Sequence, residues 1–411
     1  MTPISSSAGA QAEETARLRS ISFLNLAHAI DHFVLLIFPT VVIGLEVVYG
    51  RPYSDLIALS SAAFIAFGVF SLPAGWLADR WSRRNMMAAF YLGCGVSLIA
   101  AGIAPNLTML AVAMFALGMF AAIYHPVGMA MLIEASGARG RTLAFNGVCG
   151  NLGVSLAAGI SAALASWFGW RFAFFAPAVL CIAVGFIYLW MTPADLHTVK
   201  TRKSAPAVPL TPRLAIIMLG LFIVIALTAG LTFNVLTIAL PKIVDDGMAK
   251  DVPLVMVGSI ATLVLVCGAI AQLSVGRIVE WVPPHIVFAI VTGFSFLGNL
   301  WATYATGLGL LVALAIAVAA IYGQVTVNDM IMARYTADAW RGRVYAVRYF
   351  LVFISAGVAI GMIALLHKTG GFALVLGVNA IIAGMMLLAT LALAAMIVGI
   401  EGKPAATQPA E

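Results

Sequence analysis

The chain has 411 residues, of which 63% are hydrophobic and only 9% are charged, and its formal net charge is +6. A soluble globular domain carries about 25% charged residues, so this composition excludes a soluble protein surface. Apolar runs of about 18 residues or more recur from end to end, and each can cross the roughly 30 Å hydrocarbon core of a bilayer. We therefore predict an all-α membrane protein.

The chain begins with a polar segment, residues 1–20, that ends in Arg17 and Arg19 just before the first apolar run. It lacks a short hydrophobic stretch followed by a cleavage site, so it does not predict a cleaved secretory signal. We expect residues 1–20 to form a cytoplasmic tail, and residues 401–411 to form a second one.

Twelve apolar segments follow in chain order, and a single long polar linker, residues 193–212, separates the first six from the last six. This spacing predicts one six-helix bundle over residues 21–192 and another over 213–400. The predicted spans are residues 21–45, 56–79, 85–103, 107–134, 142–166, 170–191, 213–240, 253–280, 284–305, 307–334, 341–366 and 370–399.

The basic residues predict the orientation of these spans. If the N-terminus is cytoplasmic, all but five of the 22 Lys and Arg residues fall on the cytoplasmic side. Such a bias is the positive-inside signal, so we expect both termini in the cytoplasm and the protein in a cell inner membrane. The same bias accounts for the net charge without nucleic-acid binding. The five exceptions are Arg51, Arg171, Lys242, Lys250 and Lys368.

The two halves of the chain repeat each other. Residues 72–79 read LPAGWLAD and residues 273–280 read LSVGRIVE, which share the pattern L-x-x-G-x-[LI]-x-[DE]. Residues 139–141 and 341–343 both read RGR, and Tyr124 and Tyr322 precede them at a nearly constant separation. Correspondences at equivalent spans indicate two parallel six-helix repeats with a solute path between them.

Residues 75–84 read GWLADRWSRR and follow the second span. They resemble the G-x-L-a-D-R-x-G-R-R/K signature of the major facilitator superfamily, with Ser82 where that family prefers Gly. The resemblance implies a secondary transporter in which two six-helix bundles rock to expose a small-molecule site to each side in turn.

This loop also has a physical interpretation as a gating latch. Gly75 permits close helix contact, Asp79 suits the positive N-terminal end of a neighbouring helix, and the arginines offer donors to carboxylates. Glu134 and Asp329 would anchor a corresponding ion-pair network in each half. The alternatives are that the arginines only set topology, or that the Glu134 group contacts substrate. The predicted gating residues are Gly75, Asp79, Arg80, Arg83, Arg84, Glu134, Arg139, Arg141, Glu280, Asp329, Arg334, Arg341, Arg343 and Arg348.

Polar residues inside the first and fourth spans form a second resemblance. Asn25, His28, Asp31, His32 and Pro39, together with residues 124–126 (YHP), are similar to the fosmidomycin-resistance-like branch of the superfamily. This similarity implies export of a small drug or organic anion against a proton gradient.

Asp31 is the strongest candidate for proton coupling because an ionisable group in a span usually faces the bundle interior or water. His28 and His32 lie one helical turn apart and flank Asp31, so they would act as relay or substrate contact. A buried network that only packs the span is one alternative. Metal coordination is the other, although one short segment is a weak metal signal, and we assign no metal ligand.

Further polar side chains are candidates for contact with the solute, and for Asn234 core packing is the alternative. Pro126 loosens the helix beside His125, and a structural kink alone would also explain it. The predicted substrate-binding residues are Asn25, Tyr124, His125, Asn234, Tyr322, Gln324 and Asn328. The fifth span has glycines but lacks the proline of the antiporter motif of the family, which leaves uptake open.

No nucleotide-binding loop, thiol pair or cofactor motif is present, so we expect an ion gradient to supply the energy, and neither enzymatic activity nor a cofactor. The predicted function is proton-coupled export of a small organic compound by a monomer in lipid. The alternatives are proton-coupled uptake of a carboxylate or other metabolite, metal-ion transport, and a non-transporting membrane scaffold.

Overall fold

The computed structural model describes residues 4–136, 140–192, 208, 210–248, 252–336 and 338–401. Every regular element in this part of the chain is helical, which confirms the all-α prediction. The predicted linker lies mostly outside the described residues, as do the C-terminal residues 402–411 and Arg139.

The described part contains thirteen α-helices. A 3-10 turn, Ala58–Ser60, and a π-helical turn, Tyr124–Gly128, connect some of them. The helices are α1 Ile4–Tyr49, α2 Tyr53–Ile57, α3 Ser61–Arg80, α4 Arg83–Ile103, α5 Leu107–Ala121, α6 Met129–Ser136, α7 Gly140–Phe168, α8 Phe172–Met191, α9 Pro212–Gly247, α10 Leu254–Ile278, α11 Pro284–Tyr304, α12 Gly307–Tyr335 and α13 Asp338–Glu401.

Eleven helical segments in the described part are long and apolar enough to cross a membrane. The last, Phe350–Glu401, has 52 residues, whereas about 20 suffice for one crossing. It is interrupted at Gly370 and Gly371, where φ is −148° and +63°. A positive φ is readily adopted only by glycine, and this break falls at the predicted boundary between the last two spans.

The N-terminal residues differ from the predicted tail because α1 already begins at Ile4. Residues 8–19 are rich in Ala, Glu, Gln and Arg, which are strong helix formers. Arg17 also pairs with Glu14 one turn earlier, with 2.5 Å between Nη2 and Oε1. Local propensity therefore extends the first membrane helix towards the N-terminus.

Ser82, the departure from the family signature, begins α4. Its backbone is extended, with φ −168° and ψ 126°, and its hydroxyl accepts a hydrogen bond from the Asn85 amide at 3.3 Å. Serine is among the preferred N-cap residues because it satisfies such an amide. The substitution therefore supplies a helix cap in place of the flexibility of glycine.

The chain divides into two compact units. Unit 1 comprises Met1–Lys203, Thr237–Val266 and Ala356–Leu365, and unit 2 comprises Ser204–Leu236, Cys267–Ser355 and Leu366–Glu411. In unit 1, α1 packs along α7, and α4 packs on α5 and α8. In unit 2, α11 packs along α12.

Candidate functional site

The centre of α1 presents three ionisable side chains on one side of the helix. His28 and His32 are one turn apart, and Asp31 lies three residues after His28, so all three share a face. Asp31 is fully buried, and His28 is 9% exposed. The predicted proton-coupling residues are thus together within unit 1.

The π-helical turn Tyr124–Gly128 brings a third histidine to this face. Pro126 has no backbone N–H and cannot continue the regular hydrogen-bond ladder, so the chain widens at this turn. Single π-helical turns of this kind occur frequently at functional sites. Gly75 in α3 lies against the turn, because a Cβ added there would be 3.3 Å from the Cβ of Pro126.

The three imidazole rings form a compact group with Tyr124. His28 stacks on the Tyr124 ring with 4.8 Å between centroids and lies 5.0 Å from the His32 ring. The His125 ring is 5.5 Å from each of the other two histidines. One nitrogen from each imidazole lies within 4.8 Å of the other two.

Asp31 contacts this group through His125. The Nε2 atom of His125 is 3.3 Å from Oδ2 of Asp31. The other carboxylate oxygen, Oδ1, has no hydrogen-bond partner in the described part of the chain. A buried carboxylate with so little compensation is costly, so its retention favours a functional role.

Asn146 in α7 holds the group together, and the sequence analysis missed it. Its backbone carbonyl and Oδ1 lie 2.8 and 2.9 Å from Nδ1 of His28. Since a carbonyl can only accept, Nδ1 carries the proton, and the lone pair of the ring is on Nε2. The same Oδ1 accepts from the hydroxyl of Tyr124 at 3.1 Å, and the amide donates to Oδ1 of Asn25 at 3.0 Å.

Two glycines of the fifth span let α7 approach α1. A Cβ at Gly150 would lie 2.6 Å from Nε2 of His28, and one at Gly153 would lie 2.1 Å from the carbonyl oxygen of Ala29. Small residues are what such close approach in a membrane requires. These two glycines of the fifth span, which lacks the proline of the antiporter motif, therefore make room for the histidine cluster.

The predicted latch after the second span forms in part. Arg83 pairs with Asp79, with 3.0 Å between Nη2 and Oδ1, and also with Glu134 of α6. Arg80 instead lies over the Trp76 ring, 4.1 Å from its centroid. Arg83 thus connects the ends of three helices on the predicted cytoplasmic side.

Arg84 differs from the expectation that it pairs with carboxylates. Its guanidinium donates to the carbonyls of Leu189 and Thr192 at 2.5 and 2.6 Å. Arg19 donates to the Met191 carbonyl at 3.2 Å, also at the end of α8. The last carbonyls of a helix lack intrahelical partners, so these two arginines cap α8. Arg141 is exposed.

The predicted network of the second half also changes partners. Asp329 pairs with Arg348 of α13, which is buried. Arg334 pairs with Glu401, with 2.8 Å between Nη2 and Oε1, rather than with Asp329. Glu280 is exposed beyond the end of α10. The side chains of Arg341 and Arg343 lie outside what the structure describes.

The substrate candidates of unit 2 do not form one stripe. Gln324 is about 200° around α12 from Tyr322, at 100° per residue, whereas Asn328 lies one turn after Gln324. The Tyr322 ring packs 5.1 Å from Phe233. Gln324 Oε1 and Asn328 Oδ1 are buried without hydrogen-bond partners in the described residues. Asn234 donates to Gly230 O at 2.8 Å and to Ser355 Oγ at 3.3 Å.

A further buried ion cluster, also missed, lies in unit 1. Lys242 of α9 is 8% exposed. Its Nζ is 2.6 Å from Oε2 of Glu46 in α1, 2.8 Å from Asp245 and 3.1 Å from Asp246. From the sequence, Lys242 was only one of the five exceptions to the charge bias, and its acidic partners were not predicted.

Comparison with known proteins decides the family. The Major Facilitator Superfamily profile matches residues 21–359. The chain belongs to this superfamily. Membership of this superfamily, together with the eleven apolar helical segments of the described part, makes it a multi-pass membrane protein.

Similar sequences come from transporters and resistance proteins. The chain is 29% identical over 130 residues to a puromycin resistance protein of Streptomyces alboniger, covering 30% of this chain and 26% of that protein. It is 28% identical over 145 residues to a probable L-galactonate transporter of Escherichia coli K12, covering 34% and 32%. It is 28% identical over 144 residues to a lincomycin resistance protein of Streptomyces lincolnensis, covering 34% and 29%. Each match spans about a third of the relative or less.

Solved transporters share the fold over nearly the whole chain. An inward-facing, occupied bacterial homologue of the human lysosomal transporter Spinster aligns with a TM-score of 0.72 at 12% identity, covering 94% of this chain and 95% of that one. A D-xylose–proton symporter aligns with a TM-score of 0.70 at 16% identity, covering 91% and 96%.

Proposed function

We propose that this transporter exports a small organic compound in exchange for protons. The observation that carries the proposal is the fully buried Asp31, 3.3 Å from His125, in the middle of the first membrane helix. An ionised side chain at this depth costs roughly 2.5–3.5 kcal/mol on insertion scales, and such residues typically mark ion pathways.

Proton exchange at Asp31 would use the gradient as follows. Protonation removes the buried charge, and release of the proton restores it, so the two states differ in their attraction to His125 and to a bound solute. Each pH unit supplies about 1.4 kcal/mol. Each 100 mV supplies about 2.3 kcal/mol per charge. His28 and His32 would pass the proton or contact the solute.

The transport mechanism is alternating access between two six-helix bundles, with twelve spans once α13 is divided at Gly370 and Gly371. The Arg83–Asp79–Glu134 and Arg348–Asp329 ion pairs would close the cytoplasmic side, and the Lys242 cluster the opposite side. The candidate solute contacts are Asn25, Tyr124 and His125 in unit 1, and Asn234, Gln324 and Asn328 in unit 2. Tyr322 lies on the opposite side of α12 from Gln324 and packs on Phe233 instead. The protein would act as a monomer in the inner membrane, with both termini cytoplasmic.

The direction of export is supported by two relatives named for resistance to puromycin and lincomycin. A second candidate is proton-coupled uptake of a carboxylate metabolite, which the similarity to the probable L-galactonate transporter favours. Flux assays with puromycin, lincomycin and L-galactonate in proteoliposomes separate the two.

The first test replaces the buried carboxylate. With a pH gradient imposed across proteoliposomes, the native protein should accelerate flux of the transported compound. Asp31→Asn should lose this acceleration because no proton is exchanged, while compound-for-compound exchange persists. Asp55→Asn, at an exposed carboxylate of α2, is the matched control and should behave as the native protein. An Asp31→Asn protein that stays fully coupled would remove the proposal.

A further inference from the structure

The histidine cluster contains more imidazoles than proton transfer at Asp31 requires. Three of the six histidines in the chain converge in unit 1, two from α1 and one from the π-helical turn. Proton exchange between Asp31 and its neighbour needs only His125, at 3.3 Å. The convergence of the two other rings also suits a ligand that imidazole nitrogens bind.

We propose that His28, His32 and His125 bind a divalent first-row transition metal ion, best matched by Zn²⁺. Neutral imidazole nitrogens are ligands that zinc, copper, nickel and iron accept, whereas magnesium and calcium prefer oxygen. Zinc sites with three histidines and one open position are an established coordination pattern. This site goes beyond the proposed transport of an organic compound.

The spacing of the three rings suits such an ion after a small movement. One nitrogen per ring lies within 4.8 Å of the others. Zn–N bonds of about 2.0–2.1 Å in a tetrahedron place nitrogens about 3.4 Å apart, so each would move inwards by on the order of 1 Å. Side-chain rotation supplies this movement.

Two of the rings are already oriented as metal ligands are. Metal-bound histidines almost always donate their other N–H to a carbonyl or a carboxylate. Nδ1 of His28 donates to the backbone carbonyl of Asn146 at 2.8 Å, which leaves the lone pair of the neutral ring on Nε2. Nε2 of His125 faces the carboxylate of Asp31 at 3.3 Å. The hydrogen bond of His28 fixes its tautomer, and the carboxylate beside His125 favours a proton on Nε2 of that ring.

Asp31 also supplies charge for the ion without joining the three ligands. A divalent cation in a buried site needs compensation, and this fully buried carboxylate is adjacent to the His125 ring. Its Oδ1, which has no partner in the described part of the chain, remains open to a proton or a solute.

Metal binding is measured directly on the full chain, purified without a polyhistidine tag and placed in lipid nanodiscs. Titration calorimetry with Zn²⁺ should show one ion per chain, and Co²⁺ should give the visible absorption of a tetrahedral nitrogen site. His32→Ala and His125→Ala should each weaken Zn²⁺ binding by more than about 100-fold, because each removes one of the three ligands. His285→Ala, at the start of α11, is the matched control and should leave the affinity unchanged.

The folding of each variant is checked by thermal melting, and His125→Gln replaces an alanine variant that unfolds. Absence of stoichiometric Zn²⁺ binding by the native protein, or native affinity in folded His32 and His125 variants, would overturn the site. Proton coupling is measured separately in proteoliposomes treated with a chelator. Loss of coupling in Asp31→Asn under those conditions keeps the transport proposal intact whatever the metal result.

Discussion

Tyr124 of unit 1 and Tyr322 of unit 2 occupy corresponding places in the repeat, and their surroundings differ. The Tyr124 hydroxyl donates to Asn146 and its ring stacks on His28. The Tyr322 hydroxyl is buried without a hydrogen-bond partner in the described residues. Counted from the RGR repeats, Asn146 corresponds to Arg348, which pairs with Asp329 instead. In unit 1 the amide of Asn146 therefore connects a tyrosine to a histidine, whereas in unit 2 the corresponding arginine forms an ion pair and the tyrosine hydroxyl has no hydrogen-bond partner among the described residues.

The largest expected effect on stability comes from a substitution that breaks the contact between α1 and α7 behind the unit 1 site. Gly153→Ala places a methyl 2.1 Å from the backbone oxygen of Ala29, so α7 must move away from α1. Overpacking of this kind destabilises by about 1–3 kcal/mol, and a backbone obstacle favours the upper end. Thermal unfolding in detergent measures it. Gly220→Ala, where no atom lies within 4 Å of the added Cβ, is the control and should melt as the native protein does.

A smaller effect is expected at the centre of the unit 1 network. Asn146→Ala removes the side-chain partner of His28, Tyr124 and Asn25. A buried polar group that loses its partner costs about 1–3 kcal/mol, but the Asn146 carbonyl still accepts from His28 at 2.8 Å and the Tyr124 hydroxyl keeps the Met129 sulfur at 3.9 Å, so the total loss should stay below that of Gly153→Ala. The melting temperature of Asn146→Ala should therefore be lower than that of the native protein, and its gradient-driven flux should be slower. A variant with native stability and native flux would show that Asn146 does not organise the site.

The smallest effect on stability is expected in unit 2. Gln324→Ala removes an oxygen that has no hydrogen-bond partner among the described residues, so the free energy of unfolding should change by less than about 1 kcal/mol. If Gln324 contacts the solute, KM should rise while melting stays near native. Equal losses of stability in Gln324→Ala and Asn146→Ala would erase the contrast between the two units.

Much of the fold was predictable because lipid imposes length on the helices. The apolar runs predicted the spans, and the predicted start of the last span at residue 370 coincides with the break at Gly370 and Gly371. Asp31 with its two histidines was also predictable, since a charged residue in an apolar run stands out. These signals depend on composition along the chain and need no knowledge of helix rotation.

The remaining features depend on rotation and on carbonyls, which sequence patterns do not reveal. The π-helical turn changes the phase of the fourth span and turns His125 towards Asp31. Asn146 was not predicted, although an amide side chain inside an apolar span itself indicates a buried polar contact. Arg84 was expected to pair with a carboxylate, whereas its guanidinium donates to backbone carbonyls at the C-terminal end of α8.

The most direct test of the account uses the solute to move protons. Proteoliposomes with no imposed pH gradient and a trapped pH-sensitive dye receive an outward gradient of the transported compound, with puromycin as the first probe. The native protein should acidify the interior as the compound leaves, because each export step brings protons in, and Asp31→Asn should not. Transport of the compound by the native protein with no change of internal pH would contradict it.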